Sequence, residues 1–287
     1  MTRIYVFPGQ GSQHKGMGMD LFERYPDLVR QAETQLGYSL ATLCLEDPHD
    51  RLTQTEFLQP ALYVVSALTY LQKCETEKTA PDYVAGHSLG EYAALFAAGC
   101  FDFLTGVKLV QMRGLLMSKV SGKGMAAVIG LPPVKIREVL QSSSKGTIDI
   151  ANYNSYNQTV IAGPVEDIAG VKSALESAGA RAVIPLNVSA PFHSRYMRDA
   201  QRQLETFLAG FSFSDPKIPV ISNYRALPYE AGRARETLAE QVANPVRWLE
   251  TVLYLLRLPD PAFEEIGPGT VLARLIAQIQ KEQGSHE

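Results

Sequence analysis

Gly86-His87-Ser88-Leu89-Gly90 lies between a short apolar run, Asp82-Tyr83-Val84-Ala85, which follows Pro81, and a helical stretch from Glu91 to Ala98 closed by Gly99. This pattern predicts a buried strand turning sharply into a helix, with Ser88 at the turn. At such an elbow the serine is held in a strained backbone conformation with its hydroxyl exposed. A side chain two residues away on either side would collide with neighbouring backbone, and Gly86 and Gly90 remove both collisions. Ser88 is therefore a candidate nucleophile; the alternative is a glycine-rich turn in which it only caps the helix.

Beyond the elbow, a helix is expected from Asp102 to Val120, and Ser121-Gly122-Lys123-Gly124 then breaks the pattern. The next segments read as strand from Met125 to Leu131, helix from Pro133 to Gln141 and strands at Ile148 to Asn152 and Thr159 to Ala162. A helix from Val165 to Ser177 and a strand from Arg181 to Val188 complete the series. The order βαββαβ is that of a ferredoxin-like unit, two helices on one face of a four-stranded antiparallel sheet. Residues 122–190 are thus expected to form an insert between residues 1–121 and 191–287. The flanking parts read as a parallel α/β layer, continued by Glu265-Ile266-Gly267-Pro268-Gly269 and an apolar helix.

Bulk properties narrow the possible functions. The 287 residues, 46% of them hydrophobic, can bury a substantial core, and a net charge of -3 offers no basic field for nucleic acid. Cys44, Cys74 and Cys100 are odd in number and lack metal-ligand spacing. They read as free thiols in a reducing cytoplasm. The chain opens on strand-like Ile4-Tyr5-Val6-Phe7 rather than a signal peptide, and no apolar run approaches the ~20 residues that span a bilayer. A cytoplasmic protein without membrane contact is expected, with no metal site.

A serine hydroxyl needs a base, and histidine suits that work near neutral pH. Of five histidines, His286 lies in a polar tail, His49 in a charged loop and His14 after a glycine-rich segment read as lining the cleft. His87 adjoins the serine, where side chains at a tight turn diverge. His193, in Ser189-Ala190-Pro191-Phe192-His193-Ser194 where the insert rejoins the core, is the expected base; otherwise it is a packed or capping histidine. No carboxylate stands out as its orienting partner, and any acceptor for Nδ1–H, a backbone carbonyl included, would make a dyad sufficient.

Within the 102–120 helix, Gly106, Val110, Arg113, Met117 and Val120 form one stripe, which places Arg113 on a mostly apolar face. A guanidinium turned inward needs an anion. By spacing alone, a structural ion pair with a protein acid is the favoured reading, and a bound ligand is the other.

Several segments, in order and spread over nearly the whole chain, resemble the malonyl-CoA:acyl carrier protein transacylase family, which includes the acyltransferase units of polyketide synthases. They are Phe7-Pro8-Gly9-Gln10-Gly11-Ser12-Gln13, the elbow extended through Glu91-Tyr92, Gln111-Met112-Arg113-Gly114 and Gly124-Met125-Ala126-Ala127. The later ones are Asn152-Tyr153-Asn154-Ser155, Ala190-Pro191-Phe192-His193-Ser194, Asn244-Pro245-Val246-Arg247-Trp248 and Glu265-Ile266-Gly267-Pro268-Gly269.

The resemblance implies an α/β-hydrolase-like core over 1–121 and 191–287, a ferredoxin-like insert over 122–190, and an active site in the cleft between them. It implies acylation of Ser88 with His193 as base, the backbone carbonyl of Gln241 orienting the histidine, and backbone N–H groups of Gln10 and Leu89 forming an oxyanion hole. Arg113 would grip the free carboxylate of a malonyl group. Phe192 and the aliphatic Leu89 accompany malonyl over methylmalonyl choice in related acyltransferases, a methyl discrimination worth only ~1 to 3 kcal/mol.

The implied reaction is a ping-pong transfer from malonyl-CoA to the phosphopantetheine thiol of an acyl carrier protein by a monomer with no permanently bound cofactor. Arg195, Arg198 and Arg202, at helical spacing after His193, are a candidate docking stripe for an acidic carrier, or else a solvated helix face. Two alternatives share the scaffold: an acyl hydrolase, which a fixed Arg113 disfavours for neutral acyl chains, and a non-catalytic carrier-docking module. Both fatty acid and polyketide synthesis fit, and Tyr5-Val6-Phe7, Gln59 to Val65 and Ala93 to Gly99 look closer to free-standing polyketide acyltransferases.

Overall fold

The computed structural model describes residues 1–143, 146–188 and 190–283. Ser189 and His286 of the sequence reading lie outside them.

Strand β1 (Thr2–Phe7) has four fully buried residues in succession, and its alternate side chains enter different cores. Tyr5 and Phe7 join the largest apolar cluster, with the helix Thr55–Glu77. Ile4 and Val6 join a second cluster built by Trp248, Val252 and the helix Val271–Gln283. Both faces of a central strand are therefore covered, which is why an unbroken apolar run and not an alternating one encodes it.

The other strands are β2 (Tyr83–Gly86), β3 (Lys123–Ile129), β4 (Asp149–Ser155), β5 (Gln158–Pro164), β6 (Ala182–Pro185), β7 (Val220–Ile221) and β8 (Pro261–Glu265). One four-stranded sheet has the order β7-β2-β1-β8, all parallel; the other is antiparallel, in the order β4-β5-β3-β6.

The antiparallel sheet carries the βαββαβ order of a ferredoxin-like unit, with helices Pro133–Ser143 and Val165–Ser177. Period-two alternation divides its faces. Ala126, Val128 and Ile161 pack on Ile136, Leu140, Ile168 and Leu175 of those helices, whereas Met125, Val160 and Ala162 belong to the main core. The insert is thus cemented to the body by the face its own helices leave open. Its edge strand β4 is tied as well: Tyr153 N–H donates to the Val246 carbonyl at 2.9 Å and Val246 N–H to the Ala151 carbonyl at 2.9 Å.

Several boundaries shift, among them the strands expected at Met125 to Leu131 and Ile148 to Asn152, which run Lys123–Ile129 and Asp149–Ser155, and one simplification needs correction. The helix expected over 102–120 runs Phe103–Ser118, because the Asp102 side chain accepts the Thr105 N–H at 2.7 Å and so stands outside as its cap. The last strand of the insert is Ala182–Pro185 and not Arg181 to Val188. The remainder is also not a simple alternation of strand and helix. Four α-helices between Met19 and Glu77 separate β1 from its neighbour β2, and they build one wall of the larger core.

Candidate active site

Ser88 stands where β2 ends and the helix Gly90–Ala97 begins, with φ at 54°, a left-handed conformation rare for a residue with a side chain. The two glycines are obligatory here. A Cβ on Gly86 would lie 2.0 Å from the Gly90 carbonyl carbon, and one on Gly90 would lie 2.0 Å from the Phe7 carbonyl oxygen. Asn223, just after β7, locks the bend from the next strand: its Oδ1 accepts the Ser88 N–H at 2.6 Å and its Nδ2 donates to the Gly86 carbonyl at 2.5 Å.

Ser88 Oγ and His193 Nε2 are 2.7 Å apart. On the far side of the ring, Nδ1 lies 2.9 Å from the backbone carbonyl of Gln241, which can only accept; Nδ1 therefore carries the proton and Nε2 is the free base. His193 also sits at positive φ, 57°, so the rejoining segment is bent to aim it. Its pKa is pushed down to about 3, first by burial and then by the positive charge of Arg113. A neutral imidazole is the form that accepts a serine proton. Of the other histidines, His87 points away and meets Asn154 Oδ1 at 2.9 Å beside Trp248, and His14 is exposed.

Arg113 is 1% exposed, and its partners differ from the ion pair that spacing favoured. Its fork donates to amide oxygens, Nη1 to Gln59 Oε1 at 2.6 Å and Nη2 to Gln241 Oε1 at 2.9 Å, while Nη2 also reaches Ser88 Oγ at 3.2 Å. Among the described residues no carboxylate is in salt-bridge contact with it, and the Tyr92 ring lies 5.6 Å beneath. Two neutral amides orient the cation without discharging it. The site can therefore hold an anion beside the nucleophile. The approach of this helix is made possible by Gly106, where a Cβ would overlap the Tyr63 hydroxyl at 1.8 Å.

Two hollows flank the serine. One, of about 450 Å³, is lined by His193, Ser194, Asn244, Arg137 and Arg198; the other, of about 380 Å³, by Gly9, Gln10, His87, Asn154 and Arg274. The backbone N–H groups of Gln10 and Leu89 donate to nothing else among the described residues. Phe192 is buried beside the base.

The expected arginine stripe is divided. Arg195 is clamped to Asp149 of the insert, with its Nε 2.9 Å from both carboxylate oxygens, and Arg202 pairs with Asp199. Arg198 is the one of the three that lines a hollow and has no ion pair among the described residues.

Sequence reasoning missed Gln59, Glu91, Asn223 and Tyr229 as site residues, and credited Gln241 with its carbonyl alone. The Gln241 side chain links Arg113 to the Ser88 carbonyl, which accepts from Nε2 at 2.7 Å, and to Glu91 Oε2 at 2.8 Å. Glu91 is fully buried and also receives the Tyr229 hydroxyl and the Asn223 N–H. Burial pushes its pKa up to about 7 against the pull of these donors. A lone amide in the apolar Leu58-Gln59-Pro60-Ala61-Leu62 was a usable signal, as was an asparagine at the carboxyl end of a strand, where open α/β sheets bind ligands.

A serine at a strand-to-helix elbow, a neutral histidine on its hydroxyl and two free N–H groups define a serine acyl-transfer protein on an α/β-hydrolase-like core. The acyl transferase domain family matches residues 4–287, and this chain belongs to it. The polyketide biosynthesis malonyl CoA-acyl carrier protein transacylase BaeC of Bacillus velezensis is 52% identical over 281 residues, covering 97% of this chain and 96% of that protein. The crystal structure of malonyl CoA-acyl carrier protein transacylase from Burkholderia pseudomallei matches with a TM-score of 0.95 at 48% identity, over 98% of this chain and 99% of that one. A malonyl-transacylase in complex with its type II PKS acyl-carrier protein matches with a TM-score of 0.93 at 37% identity, over 98% of this chain and 94% of that one.

Proposed function

We propose that this chain moves a malonyl group from malonyl-CoA to the phosphopantetheine thiol of an acyl carrier protein, through a malonyl ester on Ser88. The observation that carries this reading is one oxygen with two neighbours: Ser88 Oγ lies 2.7 Å from the base His193 and 3.2 Å from the carboxylate-binding fork of Arg113.

In the first half-reaction Ser88 Oγ attacks the thioester carbonyl carbon as His193 Nε2 takes its proton, and the N–H groups of Gln10 and Leu89 stabilise the charge on the carbonyl oxygen. The C–S bond breaks, and the proton passes from His193 to the departing CoA sulfur. In the second, the carrier thiol gives its proton to His193 and attacks the ester carbonyl. Ser88 leaves and recovers the proton. Nucleophile, base and anion grip all come from the chain, so the reaction calls for no resident cofactor or metal.

Phe192, buried and next to the base in sequence, is the bulky residue that in related acyltransferases accompanies malonyl over methylmalonyl, which supports malonyl here. Arg113 favours this reading over a hydrolase of neutral acyl chains, for which a buried cation in the acyl pocket is unfavourable. The relative named for polyketide biosynthesis supports service to a polyketide assembly line. Arg198 and Arg137, at the mouth of the His193-side hollow, suit an acidic carrier. Buried Cys44 and Cys100, whose thiols burial pushes up to about 12, fit a monomer in a reducing cytoplasm. Among the described residues no helix is long and apolar enough to cross a membrane.

Mass spectrometry after mixing with malonyl-CoA tests the core of this reading: a malonyl ester on Ser88 is expected in the unaltered protein and none in Ser88→Ala. An adduct that persists in Ser88→Ala, or rapid acetyl-CoA hydrolysis with negligible malonyl transfer, overturns it.

A further inference from the structure

Glu91 has no hydrogen bond to the nucleophile's hydroxyl, yet its side chain bonds two of the residues that orient the site, Gln241 and Asn223. Its Oε2 accepts from Gln241 Nε2 at 2.8 Å and from the Asn223 backbone N–H at 3.2 Å, and its Oε1 accepts from the Tyr229 hydroxyl. Gln241 and Asn223 are the two residues whose side chains bond the Ser88 main chain. No lysine or arginine is in ion-pair contact with this carboxylate among the described residues; three donors hold it directly, and the Arg113 charge favours its ionised form from further off.

The consequence falls on the Gln241 amide, which has one donor end and one acceptor end. Its Oε1 takes the Arg113 Nη2–H at 2.9 Å while its Nε2 serves Glu91. Were the amide reversed, Nε2 would face a guanidinium that can only donate, and Oε1 would face a carboxylate that, ionised, can only accept. Both ends would clash in one motion. An ionised Glu91 therefore joins the Ser88 carbonyl, which Nε2 also serves, in selecting the orientation in which Arg113 is pinned between Gln59 and Gln241 and extends Nη2 toward Ser88 Oγ.

We infer that Glu91 is a positioning residue for substrate choice: with the Ser88 carbonyl it fixes the Gln241 amide, and through that amide it aims Arg113 at the free carboxylate of the acyl group. This rests on the malonyl reading above. It adds that selection of a carboxylated acyl group depends on a buried acid that never touches the substrate. Because burial pushes the Glu91 pKa to about 7, the ionised form prevails at pH 8, where the test is set.

The experiment compares kcat/KM for formation of the malonyl and acetyl esters at pH 8. Glu91→Gln can keep an oxygen toward Gln241 and turn its amide nitrogen to the Tyr229 hydroxyl; Glu91→Met keeps the length and removes both acceptors. The malonyl-to-acetyl ratio is expected to stay within about threefold of the unaltered protein in Glu91→Gln and to fall at least about tenfold in Glu91→Met, the scale of one lost hydrogen bond to a charged group. Gln241→Leu, which retains the carbonyl that holds His193, is expected to lower the ratio similarly, and the double variant to add nothing further. Should Glu91→Met not fold, Glu91→Asp replaces it: it withdraws the acceptor by about 1.5 Å, one C–C bond, and is expected to lower the ratio in the same direction. Equal losses for both substrates, an unchanged ratio in Glu91→Met or its aspartate replacement, or fully additive effects in the double variant overturn the inference. If the unaltered protein forms no malonyl ester on Ser88, the malonyl reading has failed instead.

Discussion

Ser88 and His193 are aimed by strained main chain, which the Asn223 and Gln241 side chains brace at the serine, whereas Arg113, bonded to the same serine oxygen, is aimed by side chains alone. The dyad members sit at φ of 54° and 57°, the close approach at Gly86 and Gly90 leaves no space for a Cβ, and the acceptor behind the imidazole is a peptide carbonyl. Arg113 depends on Gln59 from the Thr55–Glu77 helix, Gln241 from the Ala234–Ala243 helix and Glu91 from the Gly90–Ala97 helix behind it. Strained backbone fixes the reacting atoms closely, and adaptable amides adjust a binding group. Damage to the first region should stop chemistry; damage to the second should change which acyl group enters.

The largest separation between the two regions is expected from His193→Ala. Loss of a general base costs about a hundred- to ten-thousandfold, and this loss should fall equally on malonyl and acetyl ester formation, because the proton removed is the same in both. Rapid-quench measurement of ester formation with each thioester checks this. A retained rate, or a loss confined to one substrate, would break the division of labour between the regions.

Arg113→Ala should produce the opposite pattern at smaller scale. Malonyl ester formation is expected to fall about ten- to a hundredfold, as for a lost charge-assisted hydrogen-bonded pair, while the share of acetyl transfer rises. Competition between the two thioesters in one reaction reads the ratio directly. If malonyl remains preferred, the carboxylate is gripped elsewhere and the cradle is only a structural knot.

The same contrast explains how much the sequence revealed. Backbone devices leave local signatures: Gly-x-Ser-x-Gly predicts an elbow, and the helical pattern broken by Ser121-Gly122-Lys123-Gly124, with the βαββαβ order after it, predicts the insert and its two helices. A network of side chains leaves almost none, since Gln59, Glu91, Gln241 and Arg113 are brought together by the packing of four helices, with Gln59 and Gln241 182 positions apart (241 − 59). Helical spacing showed that Arg113 faces inward but could not tell an acid from an amide as its partner. Likewise, a shared helical stripe of Arg195, Arg198 and Arg202 does not disclose that Asp149, 46 positions earlier, claims the first of them. The four helices between β1 and β2 were passed over because simple strand–helix alternation was assumed where connectivity allows a long excursion.

The two regions also meet electrostatically, and the smallest expected effect measures that coupling. Burial holds the His193 pKa down to about 3 and the Arg113 charge adds to the depression, so the neutral base survives as pH falls well below the usual histidine value near 6.5. Acetyl ester formation, whose acyl group carries no carboxylate, should therefore stay level from pH 8 through 6.5 and decline only at lower pH. Malonyl binding sets an anion against Arg113 and offsets its charge, so the acid limb with malonyl-CoA should lie at higher pH than with acetyl-CoA. Arg113→Ala should raise the acetyl limb as well, without restoring it to 6.5, since burial, the larger cause, remains. The same shift bears on folding: the unfolded chain binds a proton at this histidine between pH 6.5 and about 3 and the native protein does not. That contribution to stability is present above pH 6.5 and is lost as pH falls toward 3. Paired pH profiles of ester formation for the two proteins decide the matter. A half-loss near pH 6.5 in the unaltered protein would show that the imidazole is more solvated than its burial implies, and coincident limbs in Arg113→Ala would show that dyad and cradle act independently.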